Sequence, residues 1–277
     1  MPSFDPAAFT ADSRKNWTDA APFYELISAN LFPPITQAFL DFCSLKPGDS
    51  VLDVACGPGT ATRGALEKVS PTGTVLGIDL SPGMLELART RVPHAKFQEM
   101  NAEALDLPND SFDKTICQLG LMLFAKPRAA AQEMARVVKP GGLVCCLVQG
   151  RGEKMIFTSL LMKTLLKHAP ELKTPGAPTL YAFGTPELLC DAFKDTALEK
   201  PETRVLEGTF PFDSPDHYWQ TMTQGAGRTG AVLRALPEGT REAVRQDVLQ
   251  QAAAYRDGPR LQIPYEVTLA RARKPAR

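Results

Sequence analysis

No run of about 18 apolar residues occurs in this 277-residue chain, so a membrane-spanning helix is excluded. Excess charge is also absent. Thirty-one basic residues balance thirty-one acidic ones, whereas a nucleic-acid binder would normally show a basic surplus. The cysteines, at 43, 56, 117, 145, 146 and 190, form no C-x-x-C pair. Two of them are adjacent in the apolar run LVCCLV, and all six are expected to be reduced and mostly buried. The opening MPSFDPAAFTADSRK holds no apolar stretch for a signal peptide, so a cytoplasmic location is expected. Histidine is scarce, three in all, which leaves few candidate bases or metal ligands. What remains is ordinary for a globular protein: 44% apolar, 22% charged, and long enough to bury a core without staples.

The pattern along the chain divides it in three. Residues 14–45 read as helix, with Trp17, Ala20, Ala21, Tyr24 and Ile27 at three- and four-residue spacing and Pro33-Pro34 as an interruption. From residue 50 short apolar strands alternate with helices: SVLDVAC, TATRGALEKV, TVLGIDL, SPGMLELARTRV, KFQEMN, SFDKTICQLG, PRAAAQEMARVV and GGLVCCLVQ. That alternation predicts a parallel sheet covered on both faces, a doubly wound α/β core. After Gly150 it stops; helices are expected at 153–169, 185–197 and within 214–257, with strands at ETRVLEGTFPF and IPYEVTLARARK. The seven strands define a mostly parallel sheet. The division is 1–45 as an N-terminal helical lid, 46–150 as the core, and 151–277 as the last strands with a helical cap.

Four local features fall where a doubly wound sheet binds ligands, beyond the carboxyl ends of its strands. The first is VLDVACGPG, an acid in an apolar strand followed by Gly57 and Gly59, which let backbone approach a ligand or simply turn a tight corner. The second is Asp79, at the end of the second strand, an acceptor for two ribose hydroxyls or a charge near a helix N-terminus. Ser81 already serves as that helix's N-cap, with Pro82 at its first position. The third is NAEAL after the third strand, where Asn101 reads an adenine edge, caps a turn, or does both. The fourth is RVVKPGG before the fifth strand, a turn that marks architecture.

In this order over residues 46–149, the four features resemble the class I S-adenosylmethionine-dependent methyltransferases, most closely the branch of quinone-biosynthesis and other small-molecule enzymes. The resemblance implies a Rossmann-like fold and S-adenosylmethionine as cofactor. Carried over by position, it implies Asp53, Ala55, Gly57 and Gly59 around the methionine part and Asp79 on the ribose. Leu80 and Met84 would pack on the adenine faces, Asn101 and Ala102 would meet its edge, and Gln118 would lie near the methionine tail. Trp17 and Tyr24 either pack the core or fold over the sulfonium, as N-terminal helices do in that family. Ala55 stands where glycine is commoner and Asn101 where aspartate is commoner. A dinucleotide fingerprint would need glycine at 62, and the chain has threonine.

The acceptor is expected to be a small, hydrophobic or aromatic molecule. Met155, Phe157, Leu161, Phe183, Tyr218, Trp219 and Met222 would line its chamber. No N-P-P-Y-type tetrapeptide follows the fourth strand, which argues against methylation of a nucleic-acid base; carbon and oxygen acceptors stay open, as do nitrogen or sulfur acceptors of other shapes. His217, in SPDHYWQ, is the one candidate catalytic residue, weighed against an ordinary surface histidine; no metal site is expected. A protein of the same fold that binds the cofactor for a non-methylating reaction, such as a cyclisation, is the alternative.

Overall fold

The computed structural model describes residues 4–225 and 227–276. One sheet organises the chain: β1 (Ser50–Val54), β2 (Thr74–Asp79), β3 (Lys96–Glu99), β4 (Phe112–Gln118), β5 (Val138–Gln149), β6 (Glu202–Phe212), a two-residue β7 (Arg256–Asp257) and β8 (Arg260–Arg273). Its order is β3-β2-β1-β4-β5-β8-β6, with β7 paired to β8. β1 to β5 run parallel, and β8 lies antiparallel to both β5 and β6. The seven expected strands are all present, and the fold is the Rossmann-like one. Strand order reverses between β1 and β4, which puts a ligand crevice at their carboxyl ends.

Period-two alternation sorts the core into two faces. Leu52, Val54, Cys117, Val144 and Cys146 pack on α5 (Pro127–Val137) and α7 (Pro186–Asp191). Val51, Ile116, Cys145 and Leu147 pack on α2 (Pro33–Phe42) and α3 (Thr60–Val69). The adjacent Cys145 and Cys146 therefore point to opposite sides, both fully buried. α4 (Pro82–Arg91) starts as read, with Ser81 Oγ accepting from Met84 N at 3.1 Å and Pro82 in the first turn.

A third core lies beyond the strand ends. It joins Ile27 of α1 (Pro6–Ser28) and Phe32 to Phe157 and Leu161 of α6 (Ile156–His168), Phe210 of β6 and Tyr218 of α8 (Pro215–Gly225). α9 (Gly227–Ala235) and α10 (Glu238–Ala252) complete that layer. The N-terminal helices and the chain after 150 thus share one core.

Three local expectations change. α1 begins at Pro6, eight residues before the expected 14, because Asp5 caps it: Asp5 Oδ1 accepts from Ala7 N at 2.9 Å, with proline next to it. α7 spans only 186–191 of the expected 185–197. The K-P-G-G turn lies inside β5, as an irregularity between the Phe112–Val138 and Lys114–Leu143 pairs, with Gly141 at φ 79°. Gly141 N bonds to Lys274 O, and Lys274 N to Gly142 O, so the end of the chain completes this stretch.

Pro22 sits inside α1 and leaves the Thr18 carbonyl without its usual donor four residues on. At that point α1 crosses α4, where a Cβ on Gly83 would come within 2.9 Å of the Thr18 oxygen.

Lys274 also closes α5. Its Nζ donates to Asp110 Oδ1 at 2.7 Å and to the carbonyls of Ala135 at 2.9 Å and Val138 at 2.8 Å. Lys274→Met should lower the unfolding free energy by about 1.5–3 kcal/mol, the scale for hydrogen bonds to a charged group. Urea denaturation measures it; an unchanged midpoint would show that water replaces the ammonium at no cost.

Candidate functional site

The crevice at the strand ends is a real cleft, roofed by α1 and lined by the turns after β1, β2, β3 and β4. Trp17, Tyr24, Ala55, Gly57, Asp79, Leu80, Met84, Asn101, Ala102 and Gln118 all line it. Asp53, Gly59 and His217 do not.

Asp79 is the anchor. Its Oδ2 accepts from Gly57 N and its Oδ1 from Ser81 N, each at 2.8 Å. The two N–H groups fix the carboxylate at the cleft wall while each oxygen keeps a free lone pair. Burial raises its pKa from the usual carboxylate value, against the pull of those N–H donors. Tyr24, whose hydroxyl is held protonated by burial and by the charge of Asp79, faces the same wall.

The floor is strained backbone. Ala55 has φ 56° and Leu119 φ 59°, left-handed values for residues that carry a Cβ, and both line the cleft. Gly120 must lack a Cβ: one built there would lie 2.7 Å from Ala55 Cβ and 2.8 Å from Cys117 Sγ. Gly57, at φ 54°, opens onto empty space, with no atom within 4 Å of where a Cβ would stand.

Two amides are oriented by their neighbours. Asn101 Oδ1 accepts from Glu103 N at 2.9 Å, so the capping role is real and the amide nitrogen remains for a ligand. Gln118 gives Nε2 to Thr36 Oγ1 at 2.9 Å, and its buried Oε1 has no partner among the described residues. The roof comes from α1, where Thr10, Ser13, Trp17 and Tyr24 recur on one face and Trp17 meets Tyr24 edge-to-face at 5.4 Å. Arg14 pairs with Glu99 at 2.8 Å and Thr18 Oγ1 meets Ser81 Oγ at 3.1 Å, tying the roof to the sheet. Phe9, Thr10 and Ser13 were missed by sequence reasoning, and the Asp5-Pro6 start signal would have found them. Leu123, Phe124 and Ala125 were missed because nothing in LMLFAK marks a loop that folds back over the β4 tip.

The remaining candidates sit elsewhere. Asp53 is fully buried under α3, where Oδ2 accepts from Thr62 Oγ1 at 2.6 Å and Oδ1 has no partner among the described residues. The threonine that breaks the dinucleotide fingerprint is thus the partner of the strand acid. Gly59 starts α3 at φ 82° and packs toward Val92 and Ala88. His217 is 48% exposed, with Nδ1 accepting from Asp213 N at 3.2 Å, a surface turn outside the cleft. The expected acceptor chamber is solid: Met155, Phe157, Leu161, Tyr218 and Met222 are buried against one another, and Tyr218 donates to Phe157 O at 2.8 Å. Phe183 packs on the sheet core instead.

A carboxylate at the tip of β2, a glycine turn after β1 and a largely apolar cleft mark the ligand site of a doubly wound α/β domain. Residues 51–142 match the family model described as a methyltransferase domain. That segment, which carries the glycine turn, Asp79 and Asn101, is similar to methyltransferase domains. Over 129 residues the chain is 34% identical to the demethylmenaquinone methyltransferase of Symbiobacterium thermophilum, covering 44% of this chain and 51% of that protein. The chain spans about half the length of the curated relatives it matches. In fold it resembles phosphoethanolamine N-methyltransferase 2 of Haemonchus contortus in complex with S-adenosylhomocysteine, at TM-score 0.58 and 18% identity over 92% of this chain and 57% of that one. It also resembles the [4+2]-cyclase SpnF, at TM-score 0.51 and 18% identity over 88% of this chain and 81% of that one. No helix among the described residues is long and apolar enough to cross a membrane.

Burial lifts the Asp53 carboxyl to about 7, offset in part by the Thr62 hydroxyl. An acid raised above its unfolded value costs stability as pH rises from about 4 to about 7, and the full cost holds above that window. Asp53→Asn should therefore match the parent near pH 4 and exceed it in stability at pH 8, read from denaturation midpoints. A constant difference between the two pH values would show that the carboxyl does not titrate in that range.

Proposed function

We propose that the protein transfers the methyl group of S-adenosylmethionine to a small, apolar or aromatic acceptor. The observation that carries this reading is the Asp79 carboxylate, held by Gly57 N and Ser81 N with acceptor capacity left facing the cleft. The residues present fit the cofactor. Asp79 would accept from both ribose hydroxyls, Leu80 and Met84 would cover the adenine, and Asn101 would offer its amide nitrogen to a ring nitrogen. The open space beside Gly57 and the unpartnered Gln118 Oε1 suit the methionine end, where a carbonyl oxygen would accept from the ammonium. Trp17 and Tyr24 present aromatic faces on the roof, an environment that favours a cation.

When bound, the cofactor supplies an electrophilic methyl group on sulfur. The protein's part is positioning, which is worth roughly 7–11 kcal/mol in favourable intramolecular cases. Titratable groups at the cleft are few: Tyr24, Asp79 and Glu103. Tyr24 stays protonated and Glu103 Oε1 is engaged by Lys126 N at 2.9 Å, so neither is set up as a base. That favours an acceptor that needs no enzymic base, such as an electron-rich aromatic carbon or a pre-ionised phenol. Phe9, Leu123 and Phe124 give the cleft its apolar side, and the demethylmenaquinone methyltransferases make quinone-like acceptors the first to try. The likeness to a cyclase supports a second reading, in which the cofactor is held without methyl transfer.

Calorimetric titration with S-adenosylmethionine should give micromolar binding, and titration with NADH none. Asp79→Ala should weaken the first by about 1.5–3 kcal/mol, roughly ten- to hundredfold. Unchanged affinity would refute the ribose assignment. Release of S-adenosylhomocysteine in the presence of acceptor separates methyl transfer from the second reading.

A further inference from the structure

A second cavity lies on the other side of α1 from the cleft, between α1, α8, α9 and α10, with a volume of about 470 Å³. It belongs to no part of the cofactor site, and its two walls differ in character. One is apolar: Phe23 is 45% exposed, an unusual state for an aromatic ring on a packed helix, and it faces the cavity with Trp219 and Leu233. Trp219, packed against the third core, is the member of the expected acceptor chamber that also lines this cavity.

The other wall is charged, and its ion pairs do not cancel. Asp19 is matched by Lys15 at 2.6 Å. Arg245 is shared between Asp216 at 2.6 Å and Glu242 at 3.1 Å. Arg234 and Arg241 also line the cavity; neither forms an ion pair among the described residues, although the charge of Arg241 helps to lower the Glu242 carboxyl, and Arg234 donates only to the Thr223 carbonyl, at 3.2 Å. Among the described residues the lining carries Arg234, Arg241 and Arg245 against Asp19 and Glu242, a surplus of a single positive charge beside an exposed aromatic surface.

We propose that this cavity binds a monoanionic aromatic or short-chain carboxylate, its apolar body between Phe23 and Trp219 and its carboxylate on Arg234 and Arg241. Guanidinium forks suit a planar carboxylate, and the single surplus charge favours a monoanion over a phosphate-bearing ligand. The ligand would share α1 with the cleft, where Tyr24, next to Phe23, faces the opposite way.

The chain has two tryptophans, Trp17 in the cleft and Trp219 in this cavity. Trp17→Phe thus leaves Trp219 as the sole indole reporter. Titration of that full-length variant with 4-phenylbutyrate should change its fluorescence saturably, with an affinity at least about tenfold above that for neutral 4-phenylbutan-1-ol. Arg241→Gln should weaken the response, and adding Arg234→Gln should abolish it, with unfolding midpoints reported beside each to show that the fold is intact. Equal affinity for the alcohol, a response that survives both substitutions, or no saturable change at millimolar probe would each overturn the proposal. Displacement of the probe by S-adenosylhomocysteine would place it in the cleft and overturn the proposal as well. The titration reads Trp219 alone, so failure of the cofactor reading leaves it interpretable.

Discussion

The cleft depends on one carboxylate accepting two backbone amides. Asp79 binds the N–H of Gly57, from the turn after β1, and the N–H of Ser81, at the start of α4. Those amides have no partner within their own strands, and a buried unpaired N–H costs about as much as a lost hydrogen bond. The acid thus welds two neighbouring turns and stops both from closing across the crevice. A neutral side chain there would supply at most one acceptor oxygen, and one of the turns would have to move.

Around that weld the backbone is held where it would not otherwise rest. Ala55 and Leu119 occupy left-handed conformations just past the ends of the neighbouring strands β1 and β4, and Gly120 yields the space that the Ala55 methyl needs. Single residues in such regions cost on the order of 1–3 kcal/mol and persist because their surroundings over-determine them. Here the surroundings are the parallel ladder on either side, with Leu119 N bonded to Leu147 O at 2.7 Å and Cys56 N to Ile78 O at 2.9 Å. The Ala55 methyl is therefore accommodated because residue 120 is glycine, a steric fact that one position alone does not reveal.

Much of this was legible in the sequence, for reasons that also explain the failures. α4 was readable to its cap because Ser81-Pro82 is a local signal with local consequences. Asp79 was readable because the end of a strand is a position, whatever its side chain touches. Asp53 was misread because an acid beside a glycine turn does not say which face it takes. Alternation puts it with Val51, under α3, and away from the cleft. The acceptor chamber failed for a different reason. Met155, Phe157, Tyr218 and Met222 have the composition of a pocket wall and of a packed core alike, and only three-dimensional packing separates them. His217 carried chemical promise as a residue type, but a helix-start turn on the surface took it.

The roof helix has one rung missing from its ladder. Pro22 offers no amide to Thr18, and the gap falls where α1 crosses α4 over Gly83. On one side of it, Ile27 and Ser28 are rooted in the third core; on the other, Phe9, Thr10, Ser13 and Trp17 lean over the cleft, tied by the exposed Arg14–Glu99 pair. Bending stiffness is lowest where a helix lacks a hydrogen bond. The N-terminal two-thirds of α1 is accordingly a lever with its fulcrum at the missing rung and its heavy end clamped. The Arg14–Glu99 pair and the Thr18–Ser81 contact hold the light end down, and salt weakens the first of them.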